Sequence, residues 1–336
     1  MRTAFKVAGS VLALAALCAV GVAAYLFASA LQPARPVGFE EVSIGDPGHA
    51  PLYAAIWYPT DARPGIALVG WTAQRVASGG AVAGERLPVV VMSHGTGGSF
   101  ATHADTALAL AAGGYVVVAP MHTGDNFRDD SAVGHPNWFP DRSRHLRVAL
   151  DAALGKWRGA AHIDPRRVGV FGFSAGATTA LVSIGGTPDL QQVPIHCKQH
   201  PEFVCELMAP PAVQPTAWVA DPRIRAAVIV APGLGFAFAP DGLRNVRVPV
   251  QLWAGGADTT VPAATNARLV QTSLPTNAAT EMHLVPSATH YAFTAPCGLI
   301  GPPQLCRDAE GFDRKAFHQA FNNSLVKFFD SRLPPG

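Results

Sequence analysis

The residues with the clearest chemical meaning are Gly172-Phe173-Ser174-Ala175-Gly176, which form a G-x-S-x-G motif. The motif directly follows the apolar run 168–171 and directly precedes a helical pattern. Where a strand turns sharply into a helix, neighbouring side chains collide, so glycine is needed on both sides of the serine. The spacing therefore predicts that Ser174 projects from such a turn as a nucleophile rather than lying in an ordinary loop.

A serine hydroxyl is a weak nucleophile at its own pKa, and it needs a base that is itself oriented by an acid. In strand-turn-helix sites of this kind, the acid and then the base follow the serine along the chain. Asp258 follows the apolar run 248–253, and His290 follows the run 282–285. Both would reach the crevice at the carboxyl ends of the strands. We therefore predict that Ser174, Asp258 and His290 form a catalytic triad.

Three other residues compete for these roles. Asp241 lies in an Asp-Gly turn that comes before a strand rather than after one, so we interpret it as a turn residue. His283 falls inside a strand pattern and is interpreted as a sheet residue. His318 lies in the C-terminal helical pattern and is expected to be solvated.

Acyl transfer also requires backbone donors that point at the developing oxyanion. The amide of Ala175 is one candidate, and the second should come from the glycine-rich loop Ser93-His94-Gly95-Thr96-Gly97-Gly98. We predict Thr96 as this donor, with Gly95 as the alternative and His94 as a support of the loop. A phosphate-binding role is disfavoured, because the loop lacks the Lys-Ser/Thr pair that follows phosphate loops.

A second loop and several aromatic residues are expected near the same crevice. His122 and Asp125 follow the apolar run 115–119, and they either contact the substrate or brace their loop; we prefer bracing. Trp138 and Phe236 either line a substrate pocket or pack in the core. No second cluster of metal-ligand type lies nearby in the sequence, so bracing is preferred and a metal is not expected.

The elements that must position these residues follow from the hydrophobic pattern. From Leu87 onward, apolar runs alternate with helical patterns, which indicates a parallel sheet with helices on both faces. Upstream, the segments 39–44 and 52–59 flank a Gly-Asp-Pro-Gly turn and predict an antiparallel hairpin. The segment 314–329 predicts a closing helix with aromatic residues in the core. The irregular, proline-containing region 185–222 predicts a cap or lid inserted before the next strand.

Composition excludes several classes of protein. The chain has 336 residues, of which 49% are hydrophobic and 14% are charged, with 25 basic against 23 acidic side chains. Long disordered chains are less hydrophobic and more highly charged, and proteins that bind nucleic acid usually carry a basic excess. We therefore expect a globular protein that acts on a small, neutral or apolar substrate and does not bind nucleic acid.

The N-terminus resembles an export signal. Arg2 and Lys6 precede the apolar run 7–30, which ends in the small-x-small pattern of a cleavage site. We favour a cleaved signal peptide over residues 1–30. The alternative is an uncleaved membrane anchor, since a span needs about 20 residues. In both cases residues 31–336 form one catalytic domain outside the cytoplasm, periplasmic or secreted, and any membrane association would involve only residues 7–30.

Four cysteines lie outside this leader in two close pairs, Cys197 with Cys205 and Cys297 with Cys306. An even set in an exported chain indicates disulfides. Three connectivities are possible, and we prefer the local pairing because it closes the shortest loops. A zinc site is disfavoured, because the spacings are wider than those of paired zinc ligands, while a buried free thiol remains open for any one of the four.

Several stretches between residues 87 and 184 together resemble a known family. They are Ser93-His94-Gly95, residues 119–126, residues 163–168 and Gly172-Phe173-Ser174-Ala175-Gly176-Ala177. These motifs are similar to the dienelactone-hydrolase-like group of the α/β-hydrolase superfamily, which includes bacterial relatives of platelet-activating-factor acetylhydrolase.

This resemblance implies an α/β-hydrolase fold with a mostly parallel sheet of eight strands. It also implies esterase activity without a cofactor, carried by Ser174, Asp258 and His290 with the amides of Thr96 and Ala175. True dienelactone hydrolases have cysteine as the nucleophile, whereas this chain has Ser174, so cleavage of a catabolic lactone is not expected.

Taken together, the motifs and the resemblance predict an exported serine hydrolase. We expect it to cleave carboxylic esters with short or medium acyl groups through an acyl-enzyme. The alternatives are a peptidase or amidase of the same fold, since the same triad serves amide bonds, and a binding module on a hydrolase scaffold with an idle site.

Overall fold

The computed structural model describes residues 2–208, 218–298 and 301–335, with backbone only for residues 2–15. The strands in this part of the chain are β1 (Val37–Ile44), β2 (Leu52–Pro59), β3 (Gly65–Val69), β4 (Thr72–Ser78), β5 (Leu87–Ser93), β6 (Val116–Met121), β7 (Ile163–Phe173), β8 (Ile224–Val230), β9 (Val250–Gly255) and β10 (Thr280–Val285).

The α-helices are α1 (Arg2–Ser29), α2 (Ala104–Ala112), α3 (Trp138–Gly155), α4 (Ala175–Ser183), α5 (Gln192–Gln199), α6 (Phe203–Leu207), α7 (Ala267–Ser273), α8 (Pro303–Cys306) and α9 (Arg314–Arg332). Short 3-10 helices cover Phe100–His103, Ala160–His162, Gly235–Phe238 and His290–Phe293.

All ten strands lie in one sheet with the order β10-β9-β8-β7-β5-β6-β2-β1-β4-β3. The strands from β10 to β6 in this order are parallel, whereas β2 is antiparallel to both β6 and β1. Eight strands, β1, β2 and β5 to β10, thus form the mostly parallel sheet that the sequence predicts. The predicted antiparallel hairpin is β1 with β2.

The hairpin of β3 and β4 adds two strands that the sequence analysis did not predict. β4 joins the sheet through a two-residue parallel pairing of Gly38 and Phe39 with Ala77 and Ser78. β3 has the apolar sequence Gly-Ile-Ala-Leu-Val but is largely exposed, so its apolar run does not mark a buried central strand.

The sheet is covered on both faces by helices. Buried side chains of α3, α4 and α7 pack on one face, and those of α2 and α9 pack on the other. Side chains of a strand alternate between the two faces, so the buried central strands supply apolar groups to both layers. The predicted arrangement of helices on both faces is confirmed.

His318 corrects one expectation. This residue was predicted to be solvated, but it faces the core from α9 and is 2% exposed. Its Nδ1 lies 2.6 Å from Oδ2 of Asp105, and its Nε2 lies 2.9 Å from the carbonyl oxygen of Ala292. A polar ring can be buried when both nitrogens find partners, and here they do.

Both local cysteine pairs are disulfides, with sulfur–sulfur distances of 2.06 Å for Cys197–Cys205 and 1.99 Å for Cys297–Cys306. The first joins α5 to α6 inside the region 185–222. Residues 209–217 of that region lie outside the described part of the chain.

The N-terminal segment forms the helix α1. Of the predicted signal or anchor segment 7–30, the side chains of residues 7–15 lie outside the described part of the chain. Among the described residues, no helix combines the length and the apolar character that a membrane crossing requires.

Candidate active site

The nucleophile candidate sits in a strained turn between β7 and α4. Ser174 has φ 56° and ψ −121°, a conformation that L-residues rarely adopt. A Cβ at Gly172 would lie 2.1 Å from the carbonyl oxygen of Gly176, and a Cβ at Gly176 would lie 2.0 Å from that of Ser93. Both glycines are therefore required by the close approach of backbone to backbone. The turn is fixed by Ser174 N–H, which donates to the oxygen of Val230 at 2.9 Å.

The structure brings the three predicted triad residues into a continuous chain of hydrogen bonds. Nε2 of His290 lies 3.0 Å from Oγ of Ser174, and its Nδ1 lies 2.7 Å from Oδ2 of Asp258. The carboxylate accepts a hydrogen bond from Nδ1–H, so Nε2 carries the lone pair that faces the serine hydroxyl. This is the arrangement that a general base needs.

Asp258 is held in place by its own turn. Its Oδ1 accepts from the backbone N–H groups of Thr260 at 2.9 Å and Val261 at 2.8 Å, which leaves Oδ2 for the histidine. The ring of Phe173 packs on His290 with its centroid 4.8 Å away. Both Asp258 and His290 are buried, so water does not compete for the bond between them.

The two predicted oxyanion residues, Thr96 and Ala175, lie beside Ser174 on the wall of the same cavity. The loop after β5 packs closely on the nucleophile turn, because a Cβ at Gly95 would lie 3.1 Å from Phe173 and 3.2 Å from Cβ of Ser174. Glycine thus permits the loop to bring its amides to the nucleophile.

The cavity at Ser174 is narrow, with about 20 Å³ of free volume, or room for about one water molecule. Of the predicted pocket residues, Trp138 lines it. The wall also contains Phe139, the neighbour of Trp138, and eight residues that the sequence analysis did not identify: Glu202, Phe203, Val204, Leu207, Gly233, Leu234, Thr260 and Val261. Four of these, Glu202 to Val204 and Leu207, come from the region predicted as a cap.

The other two predicted pocket residues do not line this cavity. Phe236 is buried and stacks on the ring of His196 at a centroid distance of 3.6 Å. His122 is fully buried behind the glycine-rich loop, where its Nε2 lies 2.8 Å from Oγ of Ser93. Both are core residues in the structure, and His122 braces its surroundings as preferred in the sequence analysis.

A cluster of buried histidines lies behind the glycine-rich loop. Burial, with the positive charge of Arg142, lowers the pKa of His94 to about 4 and that of His122 well below its usual range. Burial, with Arg144 and Arg142, lowers the pKa of His145 to about 3. These three rings are therefore neutral at neutral pH. Among the described residues, no group of three His, Cys, Asp or Glu side chains is placed to hold a metal ion.

Known proteins resemble this chain in sequence and in fold. Residues 76–206 match the model of the dienelactone hydrolase family. The chain is similar to the dienelactone hydrolases. This match confirms the resemblance predicted from the motifs. No curated protein matches the chain.

Among solved structures, the dienelactone-hydrolase-like chain matches a ferulic acid esterase from Streptomyces cinnamoneus with a TM-score of 0.64 and 22% sequence identity. The match covers 90% of this chain and 92% of the esterase chain. It shows that the two share the α/β-hydrolase fold. With the family match, it supports a hydrolase that acts on esters.

Proposed function

We propose that this protein is an exported serine hydrolase that cleaves carboxylic esters through an acyl-enzyme on Ser174. The observation that carries the proposal is the unbroken hydrogen-bonded path from Ser174 Oγ through His290 to Asp258. It lies beside the two amides expected to receive an oxyanion, those of Thr96 and Ala175.

In the first half of the reaction, Ser174 Oγ attacks the ester carbonyl carbon while His290 Nε2 takes the hydroxyl proton. The carbonyl oxygen becomes negatively charged and receives hydrogen bonds from the Thr96 and Ala175 amides. Asp258 stabilises the imidazolium that has formed. When the tetrahedral intermediate collapses, the bond to the alcohol oxygen breaks and His290 returns the proton to that oxygen.

In the second half, a water molecule gives a proton to His290 and attacks the acyl carbon. The intermediate expels Ser174 Oγ, which takes the proton back from His290. The products are a carboxylic acid and an alcohol, and the enzyme is restored without a cofactor. Strain at Ser174 supports this cycle, because it keeps the hydroxyl exposed to the cavity from a buried turn.

The properties of the cavity favour substrates that are esters of short or medium uncharged acyl groups. Its walls are mostly apolar, and the part of the cap that α6 forms lies against it. Because an acyl group on Ser174 must fit beside the oxyanion amides, the narrow space favours a small acyl group. A feruloyl ester, the substrate type in the name of the matched esterase, would require the wall to move outward.

Export is part of the same proposal. The leader 1–30 would direct export, and the two disulfides are typical of proteins in an oxidising compartment. Fractionation of cells that express the full chain should place the esterase activity outside the cytoplasm. Sequencing of the N-terminus distinguishes cleavage near residue 30 from an uncleaved anchor.

The experiment is a comparison of wild type with Ser174→Ala and Ser183→Ala. Ser183 is the matched control, because it is a buried serine on α4 whose hydroxyl bonds only the carbonyl of Thr179 among the contacts described. We expect a fluorophosphonate probe to label wild type and Ser183→Ala, both of which hydrolyse nitrophenyl esters, whereas Ser174→Ala shows neither reaction.

Hydrolysis of peptide nitroanilides in preference to esters would instead identify an amidase. A folded wild-type protein that is neither labelled nor active would refute the proposal and leave a binding module on this fold.

A further inference from the structure

A buried ion pair lies between the glycine-rich loop and α4. Arg142 of α3 pairs with Asp125 through its Nη1, and both side chains are 1% exposed. Trp138, which lines the cavity, donates its Nε1–H to the same carboxylate at 2.6 Å. Replacing a buried ion pair with apolar groups often leaves the stability of a protein unchanged or raises it, so stability alone does not explain this pair. Its contacts point to another role.

Three consecutive peptide groups of the glycine-rich loop are held by hydrogen bonds from this pair and from His94. The carbonyl oxygen of His94 accepts from Arg142. The carbonyl oxygen of Gly95 lies 2.7 Å from Nδ1 of His94. The backbone N–H of Gly97 donates to Oδ1 of Asp125 at 2.8 Å. The Gly95–Thr96 peptide is therefore held from both sides.

The tautomer of His94 follows from its contacts. The backbone N–H of His122 donates to Nε2 of His94 at 3.1 Å, so Nε2 is an acceptor and the proton of the neutral ring lies on Nδ1. Nδ1–H then donates to the carbonyl oxygen of Gly95. In a planar trans peptide the N–H points opposite to the C=O, so this bond sets the direction of the Thr96 N–H.

Arg142 also reaches the other oxyanion donor. Its Nε–H donates to Oγ1 of Thr179 at 3.0 Å, and the Thr179 hydroxyl donates to the carbonyl oxygen of Ala175 at 2.8 Å. One guanidinium thus connects the loop that carries the Thr96 amide with the first residue of α4, whose amide is the second donor.

We propose that Arg142 and Asp125 are positioning residues that fix the Thr96 and Ala175 amides relative to each other for oxyanion binding. The inference rests on the proposed esterase function and assigns this ion pair a role in it. Preorganised donors stabilise a transition state because they need not reorganise during the reaction. Neither side chain touches the substrate, and both act through the backbone.

The test uses Arg142→Met, Arg142→Lys and Thr179→Val, with Arg223→Met as control. Arg223 pairs with Asp221 and Asp151, and neither partner lines the cavity. Steady-state hydrolysis of nitrophenyl acetate gives kcat and KM. The inhibition constant of an alkyl boronic acid measures oxyanion binding directly, because its adduct on Ser174 is tetrahedral. Thermal unfolding reports stability.

We expect Arg142→Met to lower kcat about 10- to 100-fold with KM within about threefold, somewhat less than the loss of a whole oxyanion donor. Boronate affinity should fall by a similar factor. Arg142→Lys should retain part of the activity because it keeps the charge but offers fewer fixed donors. Thr179→Val, which removes only the link to Ala175, should show a smaller loss of the same kind, and it remains informative if Arg142→Met does not fold.

Three results would overturn the inference. One is unchanged kcat in an Arg142 or Thr179 variant, and another is a rise in KM with constant boronate affinity. The third is a loss of kcat in Arg223→Met equal to that in Arg142→Met at equal loss of thermal stability. A wild-type protein that neither hydrolyses esters nor reacts with the fluorophosphonate would overturn the proposed function as well, so the two failures are distinguishable.

Discussion

Asn266, the residue that precedes α7, is bonded to the residue that precedes α6, since its Nδ2–H donates to Oε2 of Glu202 at 2.7 Å. The other carboxylate oxygen of Glu202 lies 2.7 Å from Nε2 of His196 on α5. Oδ1 of Asn266 accepts from the backbone N–H of Gly235 at 2.8 Å. The wall that α6 presents to Ser174 is thus fastened to α5 through His196 and to the start of α7 through Asn266.

Because Leu207 belongs to this wall, we expect Leu207→Ala to change the acyl length that the enzyme prefers. Removing the side chain enlarges the cavity, so we expect the ratio of kcat/KM for nitrophenyl hexanoate to that for the acetate to rise about tenfold, since one methylene in a pocket is worth about 1–3 kcal/mol. Ile195→Ala is the control, because Ile195 lies on α5 and is 55% exposed. An unchanged ratio in Leu207→Ala would show that this wall does not bound the acyl group.

Removal of either disulfide should lower stability, but only removal of Cys197–Cys205 should change the acyl specificity. Cys197→Ser with Cys205→Ser should broaden the acyl preference, because α5 and α6 are then no longer joined beside the cavity. Cys297→Ser with Cys306→Ser should leave the preference unchanged. Each pair of substitutions should lower the free energy of unfolding by up to about 2.5 kcal/mol, as expected for loops of this length. The same ester series and thermal unfolding provide both readouts, and equal broadening in the two variants would contradict the prediction.

Two glycine substitutions, one in the turn around Ser174 and one at the end of α3, should have opposite effects on stability. Gly176→Ala places a Cβ 2.0 Å from the backbone oxygen of Ser93, so we expect loss of activity together with a strong loss of thermal stability. A Cβ at Gly155, at the end of α3, has nothing within 4 Å. Gly155→Ala should raise the free energy of unfolding by about 0.4–1 kcal/mol. An active and stable Gly176→Ala variant would show that the turn can move to accommodate a Cβ without loss of stability, and would contradict this prediction.

Buried neutral histidines predict a loss of stability in acid. Burial lowers the pKa of His94 to about 4 and that of His103 and His145 to about 3. Below pH 6.5 the unfolded chain binds protons that the folded protein does not, so each histidine lowers the free energy of unfolding by up to about 1.4 kcal/mol per pH unit until the pH reaches its folded pKa.

We therefore expect the Tm to fall steadily between pH 6.5 and 4, and His103→Leu to show a shallower slope. His135→Leu is the control, because His135 is exposed. Equal slopes in wild type and His103→Leu would show that His103 is already charged in the folded protein.

The sequence predicted the parts of the molecule that follow from strand ends and local spacing. Ser174, Asp258 and His290 were found because parallel strands end at one edge of the sheet, and the structure places them within hydrogen-bond distance. The bounds of β2 and the start of α4 were also predicted, because apolar patterns and the elbow glycines mark them.

The features that were missed depend on contacts between distant parts of the chain. Arg142 looks like an ordinary charged helix residue, and its burial depends on its pairing with Asp125 and on its bonds to His94 and Thr179. His318 was placed in solvent because its partner Asp105 lies 213 residues away. Leu207 of the cavity wall lies in the irregular segment 185–222, whose sequence pattern does not predict where its side chains lie relative to Ser174. Periodicity reports the burial of apolar side chains, and it does not report polar pairs.

The contact between Ser174 and His290 joins residues 116 positions apart, and Asp258 lies between them in sequence. The serine and its base therefore meet only after β7, β8, β9 and β10 have paired side by side. Long-range contacts of this kind form late, because the chain must first close large loops. Under the proposed function, a chain in which these strands have not paired has the serine without its base, so ester cleavage reports that β7 to β10 have assembled.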